Sequence, residues 1–115
     1  MALFRCGGGT NINLGAPDVV SQANMSANSS RNITVTKMPK YVIFVMVRNS
    51  DSTGRSYAWA YDIEKACYTY FNYTADGYSY TKTESALSII TASSTRVTVT
   101  NNTAATCRTH VLIYY

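Results

Sequence analysis

The sequence predicts an all-β fold, an antiparallel β-sandwich or jelly-roll of about eight strands with an N-terminal arm. Only 14% of the 115 residues are charged, against a usual share of about 25%. Threonine, serine and asparagine supply the polarity instead, and ten tyrosines supply most of the aromatic area. Such β-branched, hydroxyl and aromatic residues favour pleated surfaces over helices. Short apolar runs separated by turn residues are typical of a sandwich, and a chain of this length holds one core.

Residues 1–9 form a segment of their own in this prediction. Four apolar residues, Met1 to Phe4, precede Arg5 and Cys6, and Gly7-Gly8-Gly9 follows. Glycine leaves the backbone almost unrestricted, so the triple glycine acts as a hinge. The pattern predicts an arm that docks onto a neighbouring subunit through Leu3, Phe4, Arg5 and Cys6. A frayed terminus is the competing interpretation.

Residues 10–31 are predicted to be a linker or loosely packed loop with one possible edge strand. The segment is rich in Asn, Ser, Ala and Gly, and Gly15-Ala16-Pro17-Asp18 is a turn signal. The sandwich domain is predicted over residues 32–115. Its first strand, Asn32–Thr36, alternates apolar and polar residues as a half-exposed strand does.

The rest of the domain divides into short strands at turn signals. Pro39 precedes the apolar strand Lys40–Arg48, where proline costs no ladder hydrogen bond. The next strand, Ser56–Ile63, carries Tyr57, Trp59 and Tyr61 on one face. An Asp-Gly hairpin signal at Asp76-Gly77 joins two further strands. The remaining predicted strands are Ala66–Tyr73, Tyr78–Lys82, Ala86–Thr91, Thr95–Thr100 and Thr106–Tyr115.

Two of these strands, Tyr41–Val47 and Val111–Tyr115, are apolar on both faces. Antiparallel sheets normally leave one face in water. A strand without a polar face is either a central strand covered on both sides by its own domain or one that faces another subunit. The sequence leaves both explanations open.

The sequence gives no sign of catalysis, and we predict that the protein is not an enzyme. His110 is the single histidine, and a lone strand histidine is typical of a packed residue. The six acids share no predicted strand face, and there is no nucleophile elbow or phosphate-binding loop. No spacing of cysteine and histidine suggests zinc, so neither a metal nor another cofactor is predicted.

The charge pattern and the hydropathy bear on partners. The ten basic residues are scattered, whereas nucleic-acid binding needs a clustered basic stripe. No apolar run approaches the roughly 20 residues that span a bilayer, so neither nucleic acid nor membrane insertion is expected. Three widely spaced cysteines allow at most one bridge within the chain. Together with the lack of a signal peptide, they favour reduced, buried thiols in a protein assembled in a cytoplasm.

Aromatic residues are concentrated between positions 57 and 80. Tyrosine and tryptophan combine a rigid apolar ring with a polar group, which suits recognition surfaces and the stacking of sugar rings. The competing interpretation is the ordinary contents of a sandwich core, where aromatic pairs stabilise a sheet. The candidate ligand-binding residues are Trp59, Tyr73, Asp76, Tyr78 and Tyr80.

The chain resembles small β-sandwich virion proteins of bacteriophages and prophages, of the tail-fibre head, receptor-binding or decoration type. The resemblance covers roughly residues 33–115 and lies in the order of its parts: the Met38-Pro39-Lys40 step into an apolar run, a polar middle, and a closing strand with paired tyrosines, Tyr114-Tyr115. It implies a noncatalytic structural subunit of the virion, assembled in the host cytoplasm. It further implies other virion subunits as partners, a trimer, and attachment to a host-surface glycan or decoration of the particle. The alternative is a free-standing carbohydrate-binding, lectin-like module.

Overall fold

A computed structural model describes the backbone of residues 2–6, 10–13, 15–48, 56–74, 77–83 and 89–115, and the side chains of residues 15–47, 56–70 and 89–115. The all-β prediction is confirmed, because the described residues form strands and turns. Their strands are β1 (Ala2–Cys6), β2 (Thr10–Asn13), β3 (Val19–Met25), β4 (Ser29–Thr34), β5 (Tyr41–Arg48), β6 (Ser56–Asp62), β7 (Cys67–Thr74), β8 (Gly77–Thr83), β9 (Ile90–Ala92), β10 (Arg96–Asn101) and β11 (Cys107–Tyr114).

Two antiparallel sheets form the sandwich. The larger sheet has six strands in the order β3-β11-β5-β6-β7-β8, and the smaller has three in the order β4-β10-β9. Strands β5 to β8 follow one another as a meander, whereas β11 inserts between β3 and β5. The last strand in the sequence, β11, therefore completes the larger sheet by pairing with two strands that precede it by many residues.

The described strands exceed the predicted eight, and the difference lies mainly in residues 10–31. This segment holds β2, all of β3 and the first part of β4. Strand β3 lies at the edge of the larger sheet, within the segment where one edge strand is predicted as possible. Part of the predicted strand Ala86–Thr91 falls on residues 84–88, which lie outside the described residues.

The core lies between the facing surfaces of the two sheets. Val42, Phe44 and Met46 alternate along β5 and are fully buried, and they pack in one cluster with Val97 and Val99 of β10. Burial at every second residue is typical of a strand with one face pointing into the core. The core also contains Met25, Val35, Trp59, Tyr68, Ile90, Cys107, Val111 and Ile113.

Aromatic rings fill the half of the core beside β6 and β7. Trp59 stacks on Phe44 with ring centroids 5.8 Å apart and lies 5.1 Å from the ring of Tyr70. Tyr61 and Tyr68 stack at 4.0 Å. The Tyr68 hydroxyl donates to the Ile90 carbonyl oxygen over 3.1 Å, which ties β7 of the larger sheet to β9 of the smaller one. These contacts assign the alternating aromatics of β6 to the core.

A buried asparagine joins two turns at one end of the sandwich. Asn101 Nδ2 donates to the carbonyl oxygens of Met25 and Ser26, each over 3.1 Å, and to that of Ala105 over 3.0 Å. Its Oδ1 accepts from the backbone N and the hydroxyl of Thr103, over 3.0 and 2.7 Å. Because Asn101 ends β10 while Met25 ends β3, one amide fixes the corner where the chain passes between the sheets.

Candidate assembly surface

The outer face of the larger sheet is the surface that points away from the sandwich core. Register places Val20, Leu112, Ile43 and Ala60 in one row across β3, β11, β5 and β6. In the next row Val45 and Ala58 are paired, and the polar Gln22 and His110 of β3 and β11 continue the same row. Most of these side chains are half-buried, while Val20 is 64% exposed and Val47 is exposed. The centre of this outer face is thus aliphatic and in partial contact with solvent.

The outer face of the smaller sheet has the opposite character. Its side chains are hydroxyls and amides that bond across the strands: Ser30 and Thr100 share a hydrogen bond of 2.9 Å, and the Thr98 hydroxyl donates to Asn32 Oδ1 over 2.8 Å. Polar groups that bond one another and remain accessible suit a surface in water. The sandwich therefore has one polar outer face and one outer face, here called the aliphatic face, whose centre is aliphatic. The strands predicted to be apolar on both sides, β5 and β11, run through the aliphatic face.

The aliphatic face ends in a buried corner beside β6 and β7. Asp62, Cys67 and Thr69 lie on the outer side by register, yet each is buried. Cys67 is disulfide-bonded, which corrects the expectation that all thiols are reduced. Cys107 is a free and buried thiol, which agrees with the same expectation. A covalent link at this corner holds the outer face of β7 against other parts of the chain.

Asp62 also shapes the turn that follows β6. Its Oδ1 accepts from the backbone N of Lys65 over 3.2 Å. Burial, and secondarily the charges of Asp62 and Glu64, raises the pKa of the Tyr41 hydroxyl. Ala66 closes the turn at φ 50°, a left-handed conformation that favours glycine.

The predicted ligand-binding residues do not form one described cluster. Trp59 lies in the core with 3% of its surface exposed, so its ring faces the aromatic stack and not solvent. On the backbone, Tyr73 pairs with Tyr78, and Tyr80 pairs with Phe71, in the β7–β8 hairpin. Asp76 lies outside the described residues. Register thus brings three of the five candidates together, at the margin of the larger sheet.

The predicted docking arm adopts strand structure. Leu3, Phe4, Arg5 and Cys6 belong to β1, which pairs antiparallel with β2, and Phe4 is opposite Ile12. The β1 backbone approaches β7, on the side of the larger sheet away from β3. The predicted hinge, Gly7-Gly8-Gly9, lies outside the described residues.

A polar recess that sequence reasoning missed lies at the end of β5 and β11. It has a volume of about 310 Å³, and Asp18, Lys40, Tyr41, Tyr114 and Tyr115 line it together with Gly15 and Ala16. Its floor is fixed by backbone hydrogen bonds: Asp18 N donates to Ile113 O over 2.9 Å, and Lys40 N donates to Tyr114 O over 2.8 Å. The paired tyrosines at Tyr114-Tyr115 were a signal for it, since they stand at the end of the buried strand β11.

The described residues hold no group of three or more His, Cys, Asp and Glu side chains placed to bind a metal ion. In the same part of the chain, no helix is both long and apolar enough to cross a membrane. His110 lies half-buried on the outer face between Gln22 and Val45, opposite no acid. No protein-family model, curated protein or solved structure matches this chain.

Proposed function

We propose that this chain is a noncatalytic structural subunit of a bacteriophage or prophage virion. In this proposal the aliphatic outer face of the larger sheet contacts other virion subunits, and the remainder of the sandwich is displayed. The copies form a trimer, which assembles in the host cytoplasm and becomes part of the virion. The observation that carries the proposal is the contrast between the two outer faces.

The physical reason is the cost of leaving such a face in water. Burying an aliphatic side chain is favourable by roughly 25 cal/mol per Å² of apolar surface. Val20, Ile43, Val45 and Leu112 lie on adjacent strands, so one partner surface covers them together. The smaller sheet has already bonded its hydroxyls across its own strands and gains nothing comparable from a partner. The asymmetry thus supports docking through one face.

A charge placed in the centre of the aliphatic face tests the proposal. Val45→Lys should abolish the trimer, because the ammonium group would be desolvated in the contact. Thr91→Lys is the matched control, since it adds the same charge to the exposed side of β9 on the smaller sheet. Mass measured by light scattering gives the number of copies, and circular dichroism shows that both variants fold. A wild-type assembly that Val45→Lys leaves unchanged would contradict the proposal.

The role of the arm is tested separately. Deleting residues 1–9 should prevent incorporation into particles while a folded domain persists. Incorporation is measured by the amount of the chain that sediments with purified particles. A deletion variant that is incorporated as well as wild type would exclude docking through Leu3 to Cys6.

A free-standing carbohydrate-binding module is the second candidate, and the tyrosine-lined recess favours it. Tyr41, Tyr114 and Tyr115 surround a concave space with a carboxylate and an ammonium group at its margin, a combination that suits sugar hydroxyls. On a glycan array, Tyr115→Ala should then lose binding, whereas Tyr78→Ala should lose it if the β7–β8 hairpin holds the ligand. Binding by a chain that never associates with particles would favour the module. An array without binding would leave decoration as the role of the virion subunit.

A further inference from the structure

Strand β3 is an edge of the larger sheet in the described part of the chain. Among the described strands it pairs only with β11, and its seven residues keep one continuous register with Ile113 to Cys107 without a bulge. Val20, Gln22 and Asn24 are exposed along it. The stretch Val19 to Met25 contains no charged residue and no proline. A long, regular, uncharged edge is a template for pairing with another strand.

The other edges of the two sandwich sheets, β8, β4 and β9, carry features that prevent such pairing. Strand β9 has three residues, which is too short to recruit a partner strand. Strand β8 contains Lys82. Strand β4 turns the charged residue Arg31 inward, opposite the buried Val99. Inward-pointing charges are a known means of protecting an edge, so β3 is the exception among the edges of the two sandwich sheets.

The protection of β4 costs stability, because the Arg31 side chain is partly buried. Its Nε and Nη2 atoms are buried and have no hydrogen-bond partner among the described residues. Burial lowers the pKa of this guanidinium, because the charged form loses water without gaining an acid. Because the edge at β4 is protected at this cost, the uncharged edge at β3 indicates a strand that pairs with another strand.

We propose that β3 pairs antiparallel with β3 of a second copy about a two-fold axis at Gln22. This centre lets all seven residues overlap, with Val19 opposite Met25 and Ser21 opposite Ala23. Both strands are uncharged, so the pairing brings no like charges into contact despite the net charge of +4. The result is one continuous sheet of twelve strands. The inference is independent of the virion function.

The nearest cations tolerate this arrangement. Arg108 is adjacent to Asn24 in its own copy and lines an open recess with Gln22, Ala23 and Asn24. About the Gln22 axis, the two copies of Arg108 are separated by three strand spacings and four residue steps, roughly 20 Å. That distance exceeds the Debye length of about 8 Å at physiological salt, so their repulsion is screened. The pairing also joins the two aliphatic faces edge to edge at Val20.

Solution mass and cysteine cross-linking test the proposal. Wild type should assemble in even numbers, as a dimer or as a pair of trimers, in a dilution series followed by light scattering. Gln22→Lys places two ammonium groups directly opposite each other and should halve the mass. Thr91→Lys, which adds the same charge to β9, should not.

Gln22→Cys provides a second readout that needs no loss of assembly. At the axis the two thiols would lie within disulfide distance, so mild oxidation should give a covalent dimer on a non-reducing gel. Thr34→Cys, exposed on β4, is the control that should stay monomeric on the same gel. A monomeric or odd-numbered wild type would overturn the proposal. So would an even-numbered assembly in which Gln22→Cys forms no cross-link, because another surface would then hold the copies together.

Discussion

Replacing Asn101 by alanine should destabilise the fold by about 4 kcal/mol. The side chain is fully buried and makes contacts to Met25, Ser26, Thr103 and Ala105. An amide has two N–H donors and two acceptor lone pairs, so these contacts amount to at most four full hydrogen bonds. At about 1 kcal/mol for each bond, the sum is about 4 kcal/mol.

Asn101→Asp separates the lost hydrogen bonds from the lost volume. The aspartate has the same shape and still accepts from Thr103, but it presents oxygen to the carbonyl groups of Met25, Ser26 and Ala105. It should therefore be at least as destabilising as alanine. Asn102→Ala is the matched control, because the neighbouring side chain is exposed and should change stability by less than about 0.5 kcal/mol.

Urea unfolding followed by the fluorescence of Trp59, the single tryptophan, measures all three variants. The alanine variant should also melt roughly 15 °C or more below wild type. The reasoning is refuted if Asn101→Ala and Asn102→Ala unfold at the same urea concentration, or if Asn101→Asp is as stable as wild type.

Three further predictions concern single residues. Ala66→Gly should stabilise by about 0.5 to 1 kcal/mol in urea unfolding, because φ is 50° there, while Ala58→Gly within β6 should destabilise. Burial, and secondarily Tyr57, raises the pKa of Tyr70, so the folded protein favours the neutral hydroxyl. Tyr70 should therefore contribute its full share to the free energy of unfolding below about pH 10, and that contribution should be lost as the pH rises through the raised pKa. Tyr70→Phe should weaken the resulting fall in melting temperature. Arg31→Met should raise stability by about 1 to 3 kcal/mol, since two buried nitrogens lack partners, and should increase association through β4; unchanged stability would argue against a cost of burial.

The sequence predicts the strands whose side chains alternate or are strongly apolar. The continuous apolar run Tyr41–Val47 identifies β5, but because both of its faces are apolar, only packing in the core shows that Val42, Phe44 and Met46 point inward. The turn residues around Asp76-Gly77 likewise predict the β7–β8 hairpin. Strands and turns that depend mainly on their own residues can thus be predicted from the local sequence.

Strand β3 is predicted only as one possible edge strand somewhere in residues 10–31, because the residues on its inward side include Ser21 and Ala23, which carry little hydrophobic signal. The strand is held by β11, whose partners lie far away in sequence. The same limit applies to the disulfide at Cys67 and to the recess at Tyr114, both of which depend on distant segments coming together. Trp59 is ambiguous for another reason: a strand tryptophan suits a core and a ligand surface equally well, and only packing on Phe44 decides between them.

The position of β11 has a consequence for synthesis. Strand β5 ends at Arg48 and its partner begins at Cys107, so about 60 residues must be translated before the two can pair. At roughly 5 to 20 residues per second, β5 waits several seconds with an unpaired edge and two apolar faces. Nascent chains that stop before Cys107 therefore expose the segment most prone to aggregation. We expect chaperones that bind nascent chains to raise the yield of folded protein more for this chain than for a sandwich whose strands all pair with their neighbours in sequence.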